Sequence, residues 1–192
     1  MSNHRHFILL KPYGYLSQFV YTSTRRKNRG LLGQLFDFPE GTMAIGRLDQ
    51  DSEGIIFLTT DGKVSHAVRS KKVEKEYYVQ LDGLITTEAL EKLKNGVEIT
   101  VEGKKYMTLP GKAFVLEQTP ELPPRAKPVR DDRHGPTSWV SITITEGKNR
   151  QVRKMTAASG FPTLRLFRVR IGNTTWSNIE PGGVREVEQF DF

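Results

Sequence analysis

Residues 46–62, with the sequence GRLDQDSEGIIFLTTDG, join three acidic residues to an apolar run. Residues 55–58 are all apolar and are predicted to form a buried strand. Met43–Ile45 is predicted to form a strand before them, and Asp61-Gly62 is a turn signal that precedes a helix. Asp49, Asp51 and Glu53 therefore lie at a junction between a strand and a loop.

Asp49, Asp51 and Glu53 have the spacing of the first ligands in a calcium-binding loop, but the rest of the loop pattern argues against a cation site. A calcium loop needs a bidentate glutamate at its twelfth position, which is Thr60 here. We interpret Asp51 and Glu53 as solvated loop charges. Asp49 differs because Arg47 stands two residues before it and the loop follows a buried strand, so Asp49 is the candidate for chemistry.

Short strands and helices alternate along the rest of the chain. The predicted strands are residues 7–10, 43–45, 55–58, 77–81, 112–117, 139–145 and 164–171, and the predicted helices are residues 31–38, a helix through His66 and Val68, 86–94 and 146–159. A proline-rich basic loop spans residues 119–137 and is long enough to suggest a function. These elements predict an α+β fold with a mostly antiparallel or mixed sheet and flanking helices.

Composition narrows the class of protein. The chain has 192 residues, of which 36% are hydrophobic and 27% charged, as expected for a soluble globular protein. There are no cysteines, which excludes disulfides and thiolate metal sites. His4, His6, His66 and His134 have no metal-ligand spacing, and the N-terminus does not read as a signal peptide. We expect a cytoplasmic protein without membrane partners.

Basic residues concentrate in two segments. Residues 1–30 contain six Lys or Arg and no Asp or Glu. Residues 125–170 contain eleven Lys or Arg and three Asp or Glu, although the formal net charge of the whole chain is only +7. Such clustering is typical of a surface for a polyanion, while the alternative is ordinary solvated faces. The first segment includes Arg25, Arg26, Lys27 and Arg29, which we expect to contact nucleic acid.

A second constellation lies in EGKNRQVRKMTAASGF, residues 146–161. On the predicted helix, Arg150 and Lys154 are neighbours at i,i+4 and are available for phosphate. Arg153 leans toward the apolar side, where an arginine needs a carboxylate partner. A basic helix face on solvent is the alternative interpretation.

Four segments resemble the motifs of RNA pseudouridine synthases, in their ribosomal RNA branch. In chain order they are LKPYG at 10–14, GRLDQDSEGIIFLTTDG at 46–62, KEYYV at 75–79 and EGKNRQVRKMTAASGFPTLRLFRVRIG at 146–172. The resemblance implies a single catalytic domain over residues 1–192, with two subdomains around a central cleft and a boundary near residues 75–80. Many relatives carry an N-terminal S4-type RNA-binding domain, which we do not expect here because the first motif region already begins at Phe7.

The resemblance further implies that the chain isomerises a uridine of 23S ribosomal RNA, free or in an assembling subunit, and that it does so as a monomer. The reaction oxidises nothing, so neither a metal nor an organic cofactor is expected. Asp49 matches the family nucleophile, Arg153 would pair with it, and Tyr77 would stack on the flipped uracil or take the C5 proton. Leu166 would pack beneath the base. Substrate binding is assigned to Arg47, Leu48, Lys75, Arg150 and Leu166.

Two other classes of function stay open on the sequence alone. A non-catalytic RNA-binding protein of ribosome assembly would share the basic segments, although Asp49, Tyr77 and Arg153 would then be surplus. A carboxylate-based hydrolase would release a base or sugar, whereas isomerisation leaves the RNA mass unchanged.

Overall fold

The computed structural model describes residues 4–22, 29–70, 73–130 and 132–192. Arg25, Arg26 and Lys27 lie outside these ranges. The chain divides into two units, Met1–Val73 with Arg168–Phe192 and Glu74–Phe167. None of the described helices is long and apolar enough to cross a membrane.

Strands dominate both units. The first unit contains β1 (His6–Lys11), β2 (Tyr15–Leu16), β3 (Gly30–Leu31), β4 (Met43–Ile45), β5 (Glu53–Thr59), α1 (Gly62–Ser70) and, after the second unit, β12 (Thr174–Thr175) and β13 (Val184–Val187). The second unit contains β6 (Lys75–Asp82), α2 (Thr87–Asn95), β7 (Glu98–Val101), β8 (Lys104–Met107), β9 (Lys112–Val115), β10 (Thr137–Ile144) and α3 (Gln151–Ala158). β11 (Thr163–Ile171) begins in the second unit and ends in the first. The predicted α+β class is confirmed.

Buried strands form the centre of the first unit. β1 pairs antiparallel with β13 on one side and with β5 on the other, and β4 pairs antiparallel with the end of β5. Every residue of β1 and of β5 is buried. Strands covered on both faces read as continuous apolar runs, which is why the sequence pattern located these two. The loop between β4 and β5 therefore runs into a fully buried strand at its end, whereas the strand before it is buried only at Ile45, so the expectation that the loop follows a buried strand was wrong for most of β4.

The segment predicted as a helix over residues 31–38 forms only a 3-10 turn, Leu32–Gln34. Gly33 within the segment and Pro39 after it both disfavour an α-helix. Its apolar side chains instead pack against the sheet, because Leu32 is buried in the same cluster as Phe7. Phe38 meets the Phe7 ring edge-on, with the ring centroids 5.4 Å apart.

β6 and β10 form an antiparallel pair along their whole length in the second unit. Tyr77, Val79 and Leu81 are the buried residues of β6, as the predicted alternation requires. β9 pairs with the opposite edge of β10, and α2 contacts β9. β7 and β8 form a separate hairpin that the sequence pattern did not predict.

Candidate active site

Asp49 lies in the loop that joins β4 to β5. Gly46 opens this loop with a φ of 74°, a left-handed conformation that favours glycine. Leu48 is buried, Asp49 is half-buried and Arg47 is exposed. The Asp49 carbonyl accepts a hydrogen bond from the Ser52 amide at 3.1 Å. Asp49 thus sits in a turn with a fixed backbone and remains partly accessible.

Lys11, Glu53 and Arg168 of the same unit are buried although their side chains are ionisable, with exposures of 0% for Lys11 and 4% for each of the others. Burial lowers the pKa of the Lys11 ammonium to about 7. The carboxylate of Glu53 opposes this lowering, Arg168 adds to it, and the carboxylates of Asp49 and Asp51 oppose it further. Asp49 is therefore electrostatically coupled to a buried lysine.

Two sequence-based interpretations of these residues were wrong. Lys11 does not lie outside the first strand, which was predicted to end at residue 10, because it is the last residue of β1 and is fully buried. Glu53 is not a solvated loop charge, because it is the first residue of β5 and is buried as well. Arg168 is held by a hydrogen bond from its Nε to the Ile55 carbonyl at 2.7 Å. The sequence pattern did not predict the burial of Lys11, Glu53 and Arg168, because their burial depends on strands that only the folded sheet brings together.

The candidate uracil-contacting residues lie on adjacent strands of the second unit. Tyr77 on β6 and Leu166 on β11 are both buried. Lys75, the first residue of β6, is half-buried and its Nζ lies 3.4 Å from the Thr145 carbonyl. Tyr77 is 7% exposed and Leu166 4%, so their contact with a base stays a prediction.

The basic segment around α3 differs from its prediction. The helix begins at Gln151 rather than at residue 146, so Lys148 and Arg150 precede it. Arg150 is the N-cap residue, with a φ of 52° in the left-handed region. Arg150 is exposed, whereas Arg153 is half-buried on the helix. The helical geometry predicted for the pair Arg150 and Lys154 therefore does not hold at Arg150, which precedes the helix with a left-handed backbone.

Glu146 anchors the segment that leads into α3. Its carboxylate accepts hydrogen bonds from the Tyr106 hydroxyl at 2.5 Å, the Leu109 amide at 2.8 Å and the Gln151 Nε2 at 2.6 Å. The Lys148 ammonium lies 4.8 Å from the centre of the Tyr106 ring. Glu146 thus connects the start of α3 to the β7–β8 hairpin through hydrogen bonds. These residues are far apart in the chain, so local sequence patterns did not predict the contact.

The candidate site residues fall into two groups. The first unit carries Arg47, Leu48 and Asp49, and the second carries Lys75, Tyr77, Arg150, Arg153 and Leu166. The pairing of Arg153 with Asp49 stays a prediction. Among residues 4–22, 29–70, 73–130 and 132–192, no cluster of His, Asp and Glu side chains could hold a metal ion.

The family of the chain follows from a sequence profile described as RNA pseudouridylate synthase, which matches residues 5–158. This match covers most of the chain and includes Asp49, Tyr77 and Arg153. The chain belongs to the RNA pseudouridylate synthase family and is an isomerase of that type.

Individual relatives show which members of the family the chain resembles. The chain is 42% identical over 192 residues to ribosomal large subunit pseudouridine synthase E of Vibrio parahaemolyticus, covering 98% of this chain and 76% of that protein. It is 44% identical over 177 residues to the protein of the same name from Xanthomonas campestris pv. campestris, covering 91% of each. A crystal structure of a pseudouridylate synthase matches with a TM-score of 0.75 and 29% identity, over 97% of this chain and 71% of that one. PTSWV at 136–140 and GFPTLRL at 160–166 had predicted a resemblance to member E, which these relatives confirm. The non-catalytic alternative is not favoured.

Proposed function

We propose that this protein converts a uridine of 23S ribosomal RNA into pseudouridine, with Asp49 as the nucleophile. The observation that carries the proposal is the similarity, along nearly the whole chain, to relatives named ribosomal large subunit pseudouridine synthase E. The position of Asp49 supports its role, because a fixed turn holds this residue in a partly accessible place.

The main chemical requirement of the isomerisation is one correctly positioned carboxylate. Isomerisation breaks the N1–C1′ bond and forms a C5–C1′ bond, while C5 loses a proton and N1 gains one. Asp49 acts by attack on C1′, by attack on C6, or by removal of the C2′ proton. Each of these routes uses the ionised carboxylate as a nucleophile or base.

The second unit supplies contacts to the base and the backbone. The target uridine has to leave its stack before a carboxylate can reach it, which costs a few kcal/mol. Tyr77 stacks on the flipped uracil or accepts the C5 proton, and Leu166 packs beneath the ring. Arg153 pairs with Asp49, while Lys75, Arg150 and, from the first unit, Arg47 and Leu48 contact the RNA strand.

The substrate is protein-free 23S RNA or an incompletely assembled large subunit, because flipping is least costly where the RNA is not yet packed. The enzyme acts as a cytoplasmic monomer. A time course of pseudouridine formation compares naked 23S RNA, assembly intermediates and mature subunits, and the mature subunits should be modified most slowly. Faster modification of the mature subunit would contradict this order.

The test of the proposed function is a map of pseudouridines in total RNA from cells with and without this chain. We expect at least one uridine of 23S RNA to lose its modification and to regain it with the parent chain. Complementation with Asp49→Asn should leave that uridine unmodified. Loss confined to another RNA would contradict the substrate, and restoration by the Asn variant would contradict the nucleophile.

A further inference from the structure

The Ser17 side chain holds the residue directly before Asp49. Its Oγ donates a hydrogen bond to the Leu48 carbonyl at 2.7 Å and accepts one from the Leu48 amide at 2.9 Å. A single hydroxyl thus satisfies both polar backbone groups of Leu48. Because the Leu48 side chain is also buried, the peptide that enters Asp49 has little freedom to move.

The residue directly after Asp49 is held by the same segment. The Gly14 amide donates a hydrogen bond to the Gln50 carbonyl at 2.9 Å. Residues 14–17 therefore bind the backbone on both sides of Asp49. We call residues 14–17 the bracket.

The bracket is itself anchored to the buried part of the unit. The Lys11 ammonium donates hydrogen bonds to the carbonyls of Pro12 at 3.1 Å and Tyr15 at 2.8 Å. Lys11 is fully buried at the end of β1. The bracket is thus tied to the central strand and transmits that rigidity to the loop of Asp49.

We propose that Ser17 is a positioning residue of the isomerisation, which aims the Asp49 carboxylate through the Leu48 backbone. This inference rests on the proposed role of Asp49. A nucleophile has to lie close to its near-attack position, and a displacement of about 1 Å can slow a reaction by about a hundredfold. Ser17 itself does not have to touch the RNA, so its loss should affect the chemical step rather than binding.

A matched control exists in the second unit. The Ser138 Oγ donates to the Gly83 carbonyl at 2.8 Å and accepts from the Ile85 amide at 3.1 Å, which repeats the two-sided arrangement of Ser17. Residues 83–85 contain none of the candidate site residues. Removing either hydroxyl eliminates a comparable pair of hydrogen bonds, so the two effects on stability should be similar.

The experiment compares Ser17→Ala, Ser17→Thr, Ser138→Ala and Asp49→Asn in the full chain, with kcat, KM and the thermal midpoint of unfolding measured for each. Ser17→Ala should lower kcat by about tenfold to a hundredfold with KM within about threefold of the parent. Ser17→Thr keeps the hydroxyl and should recover most of kcat. Ser138→Ala should lower the midpoint like Ser17→Ala and leave kcat within about twofold.

Each contrary outcome has a definite meaning. A kcat for Ser17→Ala within about threefold of the parent, or an equal loss of kcat in Ser138→Ala, would overturn the inference. Failure of Ser17→Thr to recover kcat would overturn it too, since the hydroxyl would then not be the essential group. An active Asp49→Asn variant would instead overturn the proposed function, whatever the Ser17 variants do.

Discussion

Lys11 affects both the stability of the first unit and the segment that holds the loop of Asp49. It is fully buried, and its ammonium bonds the carbonyls of Pro12 and Tyr15. Burial lowers its pKa from 10.5 to about 7, so the folded protein releases the proton that the unfolded chain keeps. A charged amine in this position is destabilising, and raising the pH relieves that cost.

Stability should therefore rise with pH between about 7 and 10.5. In this window the unfolded chain binds more protons at Lys11, so the free energy of unfolding increases by up to about 1.4 kcal/mol per pH unit. Lys11→Met should remove this contribution, and Lys63→Met, an exposed control on α1, should keep it. Urea unfolding at several pH values measures the slopes. Equal slopes for the parent and Lys11→Met would contradict the lowered pKa.

Arg153 offers a second prediction at the residue scale. If its guanidinium pairs with Asp49, Arg153→Ala should slow the chemical step by about a hundredfold to a thousandfold while RNA affinity changes by less than about threefold. Arg153→Lys should recover part of the rate, because a point charge replaces a bidentate fork. Lys154→Ala, on the same helix and also half-buried, is the control. A reduced affinity with kcat intact would make Arg153 a phosphate-binding residue.

Close packing between β5 and β11 fixes the position of β5 directly after the loop that carries Asp49. Gly54 has a φ of 115°, and a Cβ there would lie 2.3 Å from the Arg168 carbonyl oxygen and 2.4 Å from its amide nitrogen. Both distances are shorter than any tolerable contact, and both partners are backbone. β5 and β11 can approach this closely only because residue 54 has no side chain.

Gly54→Ala should consequently lower the free energy of unfolding by at least about 2–4 kcal/mol, since it adds a strained φ to a backbone overlap. Gly62→Ala is the matched control. A Cβ at Gly62, at the start of α1, would meet no atom within 4 Å, so this change should be neutral or stabilising by up to about 1 kcal/mol. Chemical denaturation compares the two. Similar values for both variants would refute the close approach.

Local patterns predicted the elements that local forces decide. β4 and β1 are the clearest cases, because each is a short apolar run bounded by polar or turn residues. The end of the helix predicted over residues 146–159 likewise agrees, because α3 ends at Ala158 with Ser159 as its C-cap and Gly160 follows with a φ of 92°. The hairpin of β7 and β8 was missed although its turn, Glu102-Gly103, has both φ angles positive. Because Glu is not among the residues preferred at the first position of such a turn, the sequence carried no strong hairpin signal there.

Other features depend on residues far apart in the chain, which no local pattern contains. The segment before α3 is anchored by Glu146, which bonds Tyr106 of β8 and Leu109 in the loop after β8. The burial of Lys11 and Glu53 depends likewise on strands that only the folded sheet brings to them. The candidate site was found through sequence motifs rather than through spacing, and its supports, Ser17 and Lys11, became visible only in the structure.

At the scale of the whole molecule, the charge of +7 should act through a few exposed cations rather than through all of them. Lys148 and Arg150 are exposed before α3. Both lie in the basic segment 125–170, whereas Lys105 and Lys112 lie outside it and form ion pairs with Glu98 at 2.9 Å and Glu74 at 2.6 Å. We therefore expect unequal contributions to RNA binding.

Neutralising Lys148 and Arg150 together should reduce the slope of log K against log salt by about 0.7–0.9 for each RNA phosphate that the variant no longer neutralises. Neutralising Lys105 and Lys112 instead should leave the slope nearly unchanged. Titrations of a 23S RNA fragment at several salt concentrations measure both slopes. Equal reductions in the two double variants would show that RNA is bound by charge alone, without a defined surface.

The central claim is that Asp49 performs the isomerisation. It is tested most directly by release of tritium from RNA labelled at uridine C5, because that position loses its hydrogen in the reaction. Asp49→Asn should fold and bind RNA like the parent while its release rate falls by at least about a thousandfold. A rate within about tenfold of the parent, from a variant of unchanged stability and affinity, would contradict the account.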